Sequence, residues 1–260
     1  MRFIINRFFM EEKSKFQATI ADKTILITGG TTGIGRATAH LLAGLGAKVF
    51  ITGRHQEQLD ETIRDAKAQY PDAMLSGITS DLSSGHGIEE VFTALESEFG
   101  DIDVLINNAG LAAESAAEGD YGKWGYILDT NLLAYIACAN AAIKRMKAKK
   151  NGHIVNVGSM SAEIWEPGSS VYVATKSGIQ GFTAALRKEL NPDEIKITLI
   201  EPGAVNTDMQ PGTSRERQEK VDAMEMLDAA DIAESILFCL TRSKGCDVVS
   251  MQVRPLKQLI

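Results

Sequence analysis

Short apolar runs alternate with amphipathic stretches along almost the whole of this 260-residue chain, and that rhythm limits the fold more than any other feature. Residues 23–28 (KTILIT), 47–52 (AKVFIT), 73–79, 104–106, 153–157 (HIVNV), 195–200 and 248–253 read as strands. Between them, residues 34–45, 55–69, 87–99, 121–149, 169–190 and 228–240 read as helices. The first has apolar Ala37, Leu41, Leu42 and Leu45 at helical spacing, and the stretch 121–149 has Ile127, Leu132, Leu133, Ile136 and Ile143. Strands that alternate with helices predict an α/β fold, a doubly wound parallel sheet of about seven strands with helices on both faces. Right-handed crossovers then bring every strand C-terminus to one edge, where ligands of such sheets bind. One domain is expected over residues 22–260, including a polar segment at 204–222 read as a mobile loop or short helix. Residues 1–21 are expected to form a short extension.

Charge and composition exclude several classes. Lysine and arginine number 27 against 34 acidic residues, a net charge of −7, so no nucleic-acid partner is expected. No run of ~18 apolar residues occurs, so no membrane partner is expected either. Cys138, Cys239 and Cys246 form neither a CxxC pair nor a zinc pattern. They read as free buried thiols, which fits a cytoplasmic location, and no metal is expected. The opening MRFIINRFFM is broken by Asn6 and Arg7 and lacks a small-residue cleavage site, unlike a secretory leader. It is read as docked on the body or on a neighbouring chain, and Met10 is an alternative start.

The first strand runs into Thr28-Gly29-Gly30-Thr31-Thr32-Gly33-Ile34-Gly35. Glycines there let the backbone turn tightly and approach a pyrophosphate, and the helix that follows offers unpaired N–H groups. The spacing is G-x-x-x-G-x-G, and the absence of Gly-Lys-Ser/Thr excludes a Walker loop. In a strand–turn–helix unit it points to a Rossmann-type dinucleotide site built on Gly29, Thr31, Thr32, Gly33, Ile34 and Gly35. The second strand ends in Thr52-Gly53-Arg54. An acid there would bond the ribose of NAD, whereas Arg54 suits the extra phosphate of NADP. Asp81 and Leu82, after the third strand, are candidates for the adenine end, with a helix cap as the alternative for Asp81.

Tyr172 and Lys176, four residues apart on a predicted helix, share a face. An ammonium beside the phenol is expected to lower its pKa and make it an acid/base near neutrality. Ser159 follows the 153–157 strand at the functional edge, where its hydroxyl can bond a carbonyl oxygen.

With TGGTTGIG, Asn107-Asn108-Ala109-Gly110, Asn131 in DTNLLAY, Ser159, YVATK and Pro202-Gly203 in this order, residues 22–253 resemble a short-chain dehydrogenase/reductase of the compact, single-domain, NADP-preferring kind. The resemblance implies that Tyr172 is the general acid/base, that Lys176 holds the nicotinamide ribose, and that Ser159 polarises the substrate oxygen. It implies that Asn131 holds a water linking Lys176 to solvent. Asn107, Asn108, Ala109 and Gly110 would support the adenosine ribose and the sheet. Pro202, Gly203, Val205 and Thr207 would border the nicotinamide. It also implies homodimers or homotetramers packed through helices 121–149 and 169–190. Gly158 stands where many relatives carry a second serine, and Thr32 where some NADP-preferring relatives are basic. His153 and Cys138 read as structural. Trp165 and Glu166 either line the substrate pocket or, in the case of Trp165, cover the loop.

The expected reaction is NADP-dependent hydride transfer between the nicotinamide and a ketone or secondary alcohol, with NAD the less favoured cofactor. Residues 111–118, 160–168 and 204–222 would wall the substrate pocket. No arginine clamp stands there apart from Arg215 and Arg217, so an uncharged substrate is expected. The tail VVSMQVRP resembles that of relatives acting on hydroxy acids, which keeps a small hydroxy acid open. A non-catalytic dinucleotide sensor is the alternative, against which the complete Ser159, Tyr172 and Lys176 set speaks; a lyase or epimerase on the same fold is a third reading.

Overall fold

The computed structural model describes residues 16–258. Most of the expected N-terminal extension, with Met10, lies outside the described residues. Helix already covers residues 16–20, and Ile20 is buried in the core.

Seven strands, β1 (Thr24–Thr28), β2 (Lys48–Gly53), β3 (Met74–Thr79), β4 (Val104–Asn107), β5 (Gly152–Val157), β6 (Ile195–Pro202) and β7 (Ser250–Val253), form one sheet in the order 3-2-1-4-5-6-7. Every pairing is parallel. The helices are α1 (Gly33–Gly44), α2 (Gln56–Gln69), α3 (Gly85–Phe99), α4 (Tyr121–Leu128), α5 (Ala134–Lys149), the single-turn α6 (Ser161–Ile164), α7 (Ser170–Leu190), α8 (Ser214–Asp222) and α9 (Ala229–Leu240). The order reverses at β1, whose neighbours are β2 and β4, so the crevice for a ligand opens beyond their C-termini.

The two faces of the sheet carry separate cores, assigned by the two-residue alternation of a strand. Ile25 and Ile27 of β1 join Leu42 of α1, Leu59 of α2 and Ile236 of α9. Leu26 between them joins Val91 of α3, Ala139 of α5 and Leu186 of α7 on the opposite face. With both faces covered, β1, β4 and β5 are buried along their length and mostly apolar, as expected of inner parallel strands.

The predicted helix 121–149 contains a π-helical turn at Asp129–Leu133, between α4 and α5. By length and composition alone the run Tyr121–Lys149 is apolar enough to cross a membrane. Its Tyr135, Cys138, Ala142 and Met146 are instead packed in the core. It ends at Lys150, which takes a left-handed conformation with φ 48°, just before Asn151-Gly152. The segment 204–222 takes the helical alternative: Thr213 and Glu216 form a reciprocal capping box that starts α8. Cys138 and Cys239 are buried as expected, but Cys246 is exposed, because the turn after α9 that carries it lies on the surface.

Candidate active site

The turn after β1 is held by side chains from the neighbouring strand. Thr28 Oγ1 accepts from the backbone N–H groups of Asn108 (2.9 Å) and Ala109 (3.1 Å). The Asn108 side-chain amide donates to the carbonyls of Thr28 (3.0 Å) and Gly29 (2.9 Å). Gly29 has φ 62°, and a Cβ there would come within 2.8 Å of Ala109 Cα. A Cβ on Gly35 would run into the carbonyl oxygen of Gly29, so α1 packs against the turn at backbone distance. Thr32, the N-cap of α1, makes no side-chain cap bond. The first-turn N–H groups therefore stay available to an anion, and the helix dipole favours one there.

This helix end opens into a groove of about 720 Å³, within the range of cofactor and small-molecule sites. Of the predicted residues, Gly29, Thr32, Gly33, Ile34, Arg54, Asn108, Ala109, Gly110, Ser159, Tyr172, Lys176, Pro202, Gly203, Val205 and Thr207 line it. Thr31, Gly35, Asp81, Leu82 and Asn131 do not. Thr31 is buried behind the turn, and its carbonyl accepts from Thr62 Oγ1 at 3.0 Å. Its side chain also occupies the space a Cβ on Gly53 would need, a packing reason for that glycine. The Leu82 side chain belongs to the core with Val91 and Phe92.

Asp81 accepts from the backbone N–H of Ser83 at 3.0 Å and from the Tyr126 hydroxyl at 3.2 Å. The cap of α3 is Ser84, which accepts from Gly87 N, so the capping alternative for Asp81 does not hold. Arg54 reaches the same tyrosine, donating to Tyr126 Oη at 3.1 Å. It lines the groove and makes no carboxylate ion pair among the described residues.

At the other end, Ser159, Tyr172 and Lys176 converge. Lys176, 3% exposed, donates from Nζ to the Val157 carbonyl at 3.0 Å. The same carbonyl accepts from the Tyr135 hydroxyl at 3.1 Å. Lys176 Nζ lies 5.6 Å from the centre of the Tyr172 ring. Burial lowers the lysine pKa from 10.5 to about 8. Ser159 stands near enough to the Tyr172 phenol to lower its pKa, and its Oγ accepts from Ser161 N at 3.1 Å.

The expected direction of the tyrosine shift is overturned. Burial raises the Tyr172 pKa above its ordinary 10.0, the nearby Ser159 hydroxyl lowers it, and the Glu166 carboxylate raises it further. Lys176 directs its proton to Val157 rather than to the phenol, so desolvation prevails over attraction.

Asn131 sits inside the π-helical turn, and its side chain grips the loop after β4. Its Oδ1 accepts from Leu111 N and its Nδ2 donates to the Leu111 carbonyl, each at 2.8 Å. A π turn widens the helix and re-aims one side chain, which is how residue 131 reaches the loop. Its atoms are thus engaged by the backbone rather than directed at Lys176. Asn107 supports the sheet beneath the groove, donating to Asn156 Oδ1 at 2.9 Å. His153 is buried against Thr198, 2.8 Å from its Oγ1, and is structural.

On the substrate side, Trp165 is 71% exposed and does not line the groove, whereas Glu166 does. Arg217 is no substrate clamp: it bonds Asp208, Asn206 and the Gly212 carbonyl, tying α8 to the loop before it. Arg215 pairs with Glu219 on the surface. Sequence reasoning missed His55, Gln58 and Gln258, which also line the groove. The first two follow Arg54 at the functional edge, a signal that was legible. Gln258 arrives from the C-terminal tail, bonding Ala204 N through Oε1 at 3.1 Å, and no periodicity announces that contact.

Comparison with known proteins accords with this geometry. The short chain dehydrogenase family profile matches residues 23–218. The chain belongs to the short-chain dehydrogenase/reductase family. An NADP-dependent 3-hydroxy acid dehydrogenase of Schizosaccharomyces pombe is 35% identical over 243 residues, covering 91% of this chain and 93% of that protein. An uncharacterized oxidoreductase of Staphylococcus saprophyticus is 32% identical over 91% of this chain and 98% of its own length. Among solved structures, actinorhodin polyketide ketoreductase with NADPH superposes with a TM-score of 0.80 at 26% identity, over 90% of this chain and 97% of that one. Levodione reductase does so with a TM-score of 0.80 at 26% identity, over 90% and 96%. This short-chain dehydrogenase is therefore an oxidoreductase acting on CH–OH and C=O groups.

Proposed function

We propose that the protein is an NADP(H)-dependent reductase/dehydrogenase that interconverts a ketone and a secondary alcohol, with Tyr172 as general acid/base. The observation that carries this reading is the convergence of Ser159, Tyr172 and Lys176 on the groove that the uncapped end of α1 enters.

The chain's residues fit such a dinucleotide. Backbone N–H groups of Thr32, Gly33 and Ile34 would hold the pyrophosphate, and no side chain obstructs it at the glycines. Arg54 would take the 2′-phosphate, and Pro202, Gly203, Val205 and Thr207 the nicotinamide end. When bound, the cofactor supplies or accepts the hydride.

The protein supplies the proton. The raised pKa of Tyr172 keeps its phenol protonated through neutral pH, the form that donates to a carbonyl oxygen as it gains charge. Ser159, which lines the groove with that phenol, would orient the same oxygen. Proton donation leaves a phenolate, which would be stabilised by the ammonium of Lys176, 5.6 Å from the centre of the same ring. The NADP preference draws support from Arg54 and from the cofactors named for the relatives above.

The test is a panel of ketones and secondary alcohols followed by nicotinamide absorbance with each cofactor in turn. Reduction of at least one ketone with NADPH at a kcat/KM above that with NADH is expected. Cofactor binding with no turnover across the panel would favour the sensor reading.

A further inference from the structure

Glu166 lies in the substrate wall of the groove, in the segment between α6 and the helix that bears Tyr172. Its Oε2 accepts from the Ser161 hydroxyl at 2.9 Å. Its Oε1 has no hydrogen-bond donor among the described residues, and no lysine or arginine pairs with it there. The segment is well anchored: Ser169 Oγ donates to the Glu166 carbonyl at 3.0 Å, and Ser170 Oγ accepts from Ala116 N at 2.9 Å on the facing loop. The other charges on this side do not offset it. Asp208 is itself acidic and is joined to Arg217, and Lys176 directs its ammonium to Val157. The cationic Arg54 sits at the opposite, nucleotide end.

Resting on the oxidoreductase reading above, we propose that Glu166 is a specificity-determining residue: it selects ketones and alcohols that carry a positive charge near the reacting carbon and disfavours those that carry a carboxylate. A fixed carboxylate in a walled groove attracts an ammonium group and repels an anion, and repulsion of the wrong charge is an efficient source of selectivity. The free Oε1 offers such a group a partner, while the Ser161 bond holds the carboxylate in place. This selection runs against a hydroxy-acid substrate, despite the name of the yeast relative.

The test uses three methyl ketones that differ only in the far group: levulinate, its methyl ester, and the analogue with a trimethylammonium group in place of the carboxylate. Binding to the protein saturated with NADP is measured by calorimetry, and NADPH oxidation is followed on the same panel. The cation should bind about tenfold more tightly than the ester, and the ester more tightly than levulinate. Glu166→Gln should bring all three within about threefold, and Glu166→Lys should invert the order. Thermal melting checks that both variants are folded. A flat or reversed order in the wild type, an order unchanged by Glu166→Gln, or no binding of any of the three overturns the proposal. Correct ordering of affinities with no NADPH oxidation leaves the proposal standing and refutes the redox reading instead.

Discussion

Replacing Lys176 by methionine should make the protein more stable while removing most of its activity. The side chain is 3% exposed, and burial lowers its pKa from 10.5 to about 8. That difference of about 2.5 units means the fold holds the ammonium at a cost of roughly 3 kcal/mol at neutral pH. Methionine fills similar volume without that cost, but forfeits the bond to Val157, worth about 1.5–3 kcal/mol for a charged donor. The Val157 carbonyl is not orphaned, because the Tyr135 hydroxyl still donates to it at 3.1 Å. The net expectation is a gain of up to about 1.5 kcal/mol at pH 7, read from urea unfolding without nucleotide. The pH dependence gives a second signature. Between pH 8 and 10.5 the unfolded lysine keeps a proton that the folded one has released, so wild-type stability rises through that window relative to the variant. Below pH 8 both states are protonated and the difference is constant. Destabilisation by Lys176→Met at pH 7, or identical pH profiles for the two proteins, would refute the claim that burial of the ammonium dominates this site.

Four further outcomes are expected. Tyr172→Phe should lower kcat by about 10²–10⁴-fold with NADPH affinity nearly unchanged, because the ring stays and only the proton is lost; retained turnover removes the phenol from the mechanism. Arg54→Ala should weaken NADPH binding by about 10–100-fold and NADH much less, as fluorescence titration would show; equal losses mean Arg54 reads no phosphate. His153 is held neutral by burial, its pKa lowered from 6.5 to about 3, so the unfolded chain takes up a proton that the fold refuses and stability falls as pH drops through that window. His153→Gln should flatten that acid limb in unfolding titrations. Leu133 and Ile136, 52% and 38% exposed on the π turn and α5, fit an interface between copies, so sedimentation should show a dimer or tetramer and Leu133→Arg a smaller species.

The sheet and the glycine turn were legible because one physical constraint governs each. Inner parallel strands must be apolar on both faces, which makes KTILIT and HIVNV stand out. A turn that packs backbone against backbone tolerates no Cβ at residue 29 or 35, which makes the glycines stand out. The lysine–tyrosine spacing correctly put both groups on one helix face, but spacing carries no information about desolvation, and the tyrosine shift came out in the opposite direction. The π turn was invisible for a related reason: DTNLL has ordinary helical composition, and the extra residue is imposed by Asn131 gripping Leu111, a contact 20 residues away in sequence. Gln258 reaches the groove through a tail whose path depends on tertiary packing alone.

The long helix α7 shows how such contacts combine into a site. Lys176 is tied to the sheet through the Val157 carbonyl, and Thr183, seven residues on, is tied through Asn156, whose amide donates to its Oγ1 at 2.9 Å. Asn156 is in turn held by Asn107 at 2.9 Å, across the β4–β5 pair. Four and seven residues bring positions 172, 176 and 183 close to one face of a helix with 3.6 residues per turn. Two polar ties on that face, two turns apart, fix both the rotation and the height of α7 over the sheet, and the apolar contacts of Ile179 and Leu186 between and beyond them press it down. Tyr172 is the next position on the same face beyond the upper tie, so its phenol is aimed into the groove by groups that never touch a substrate. Loss of the lower tie, far below the groove, should therefore act on turnover through the angle of the phenol rather than through its chemistry.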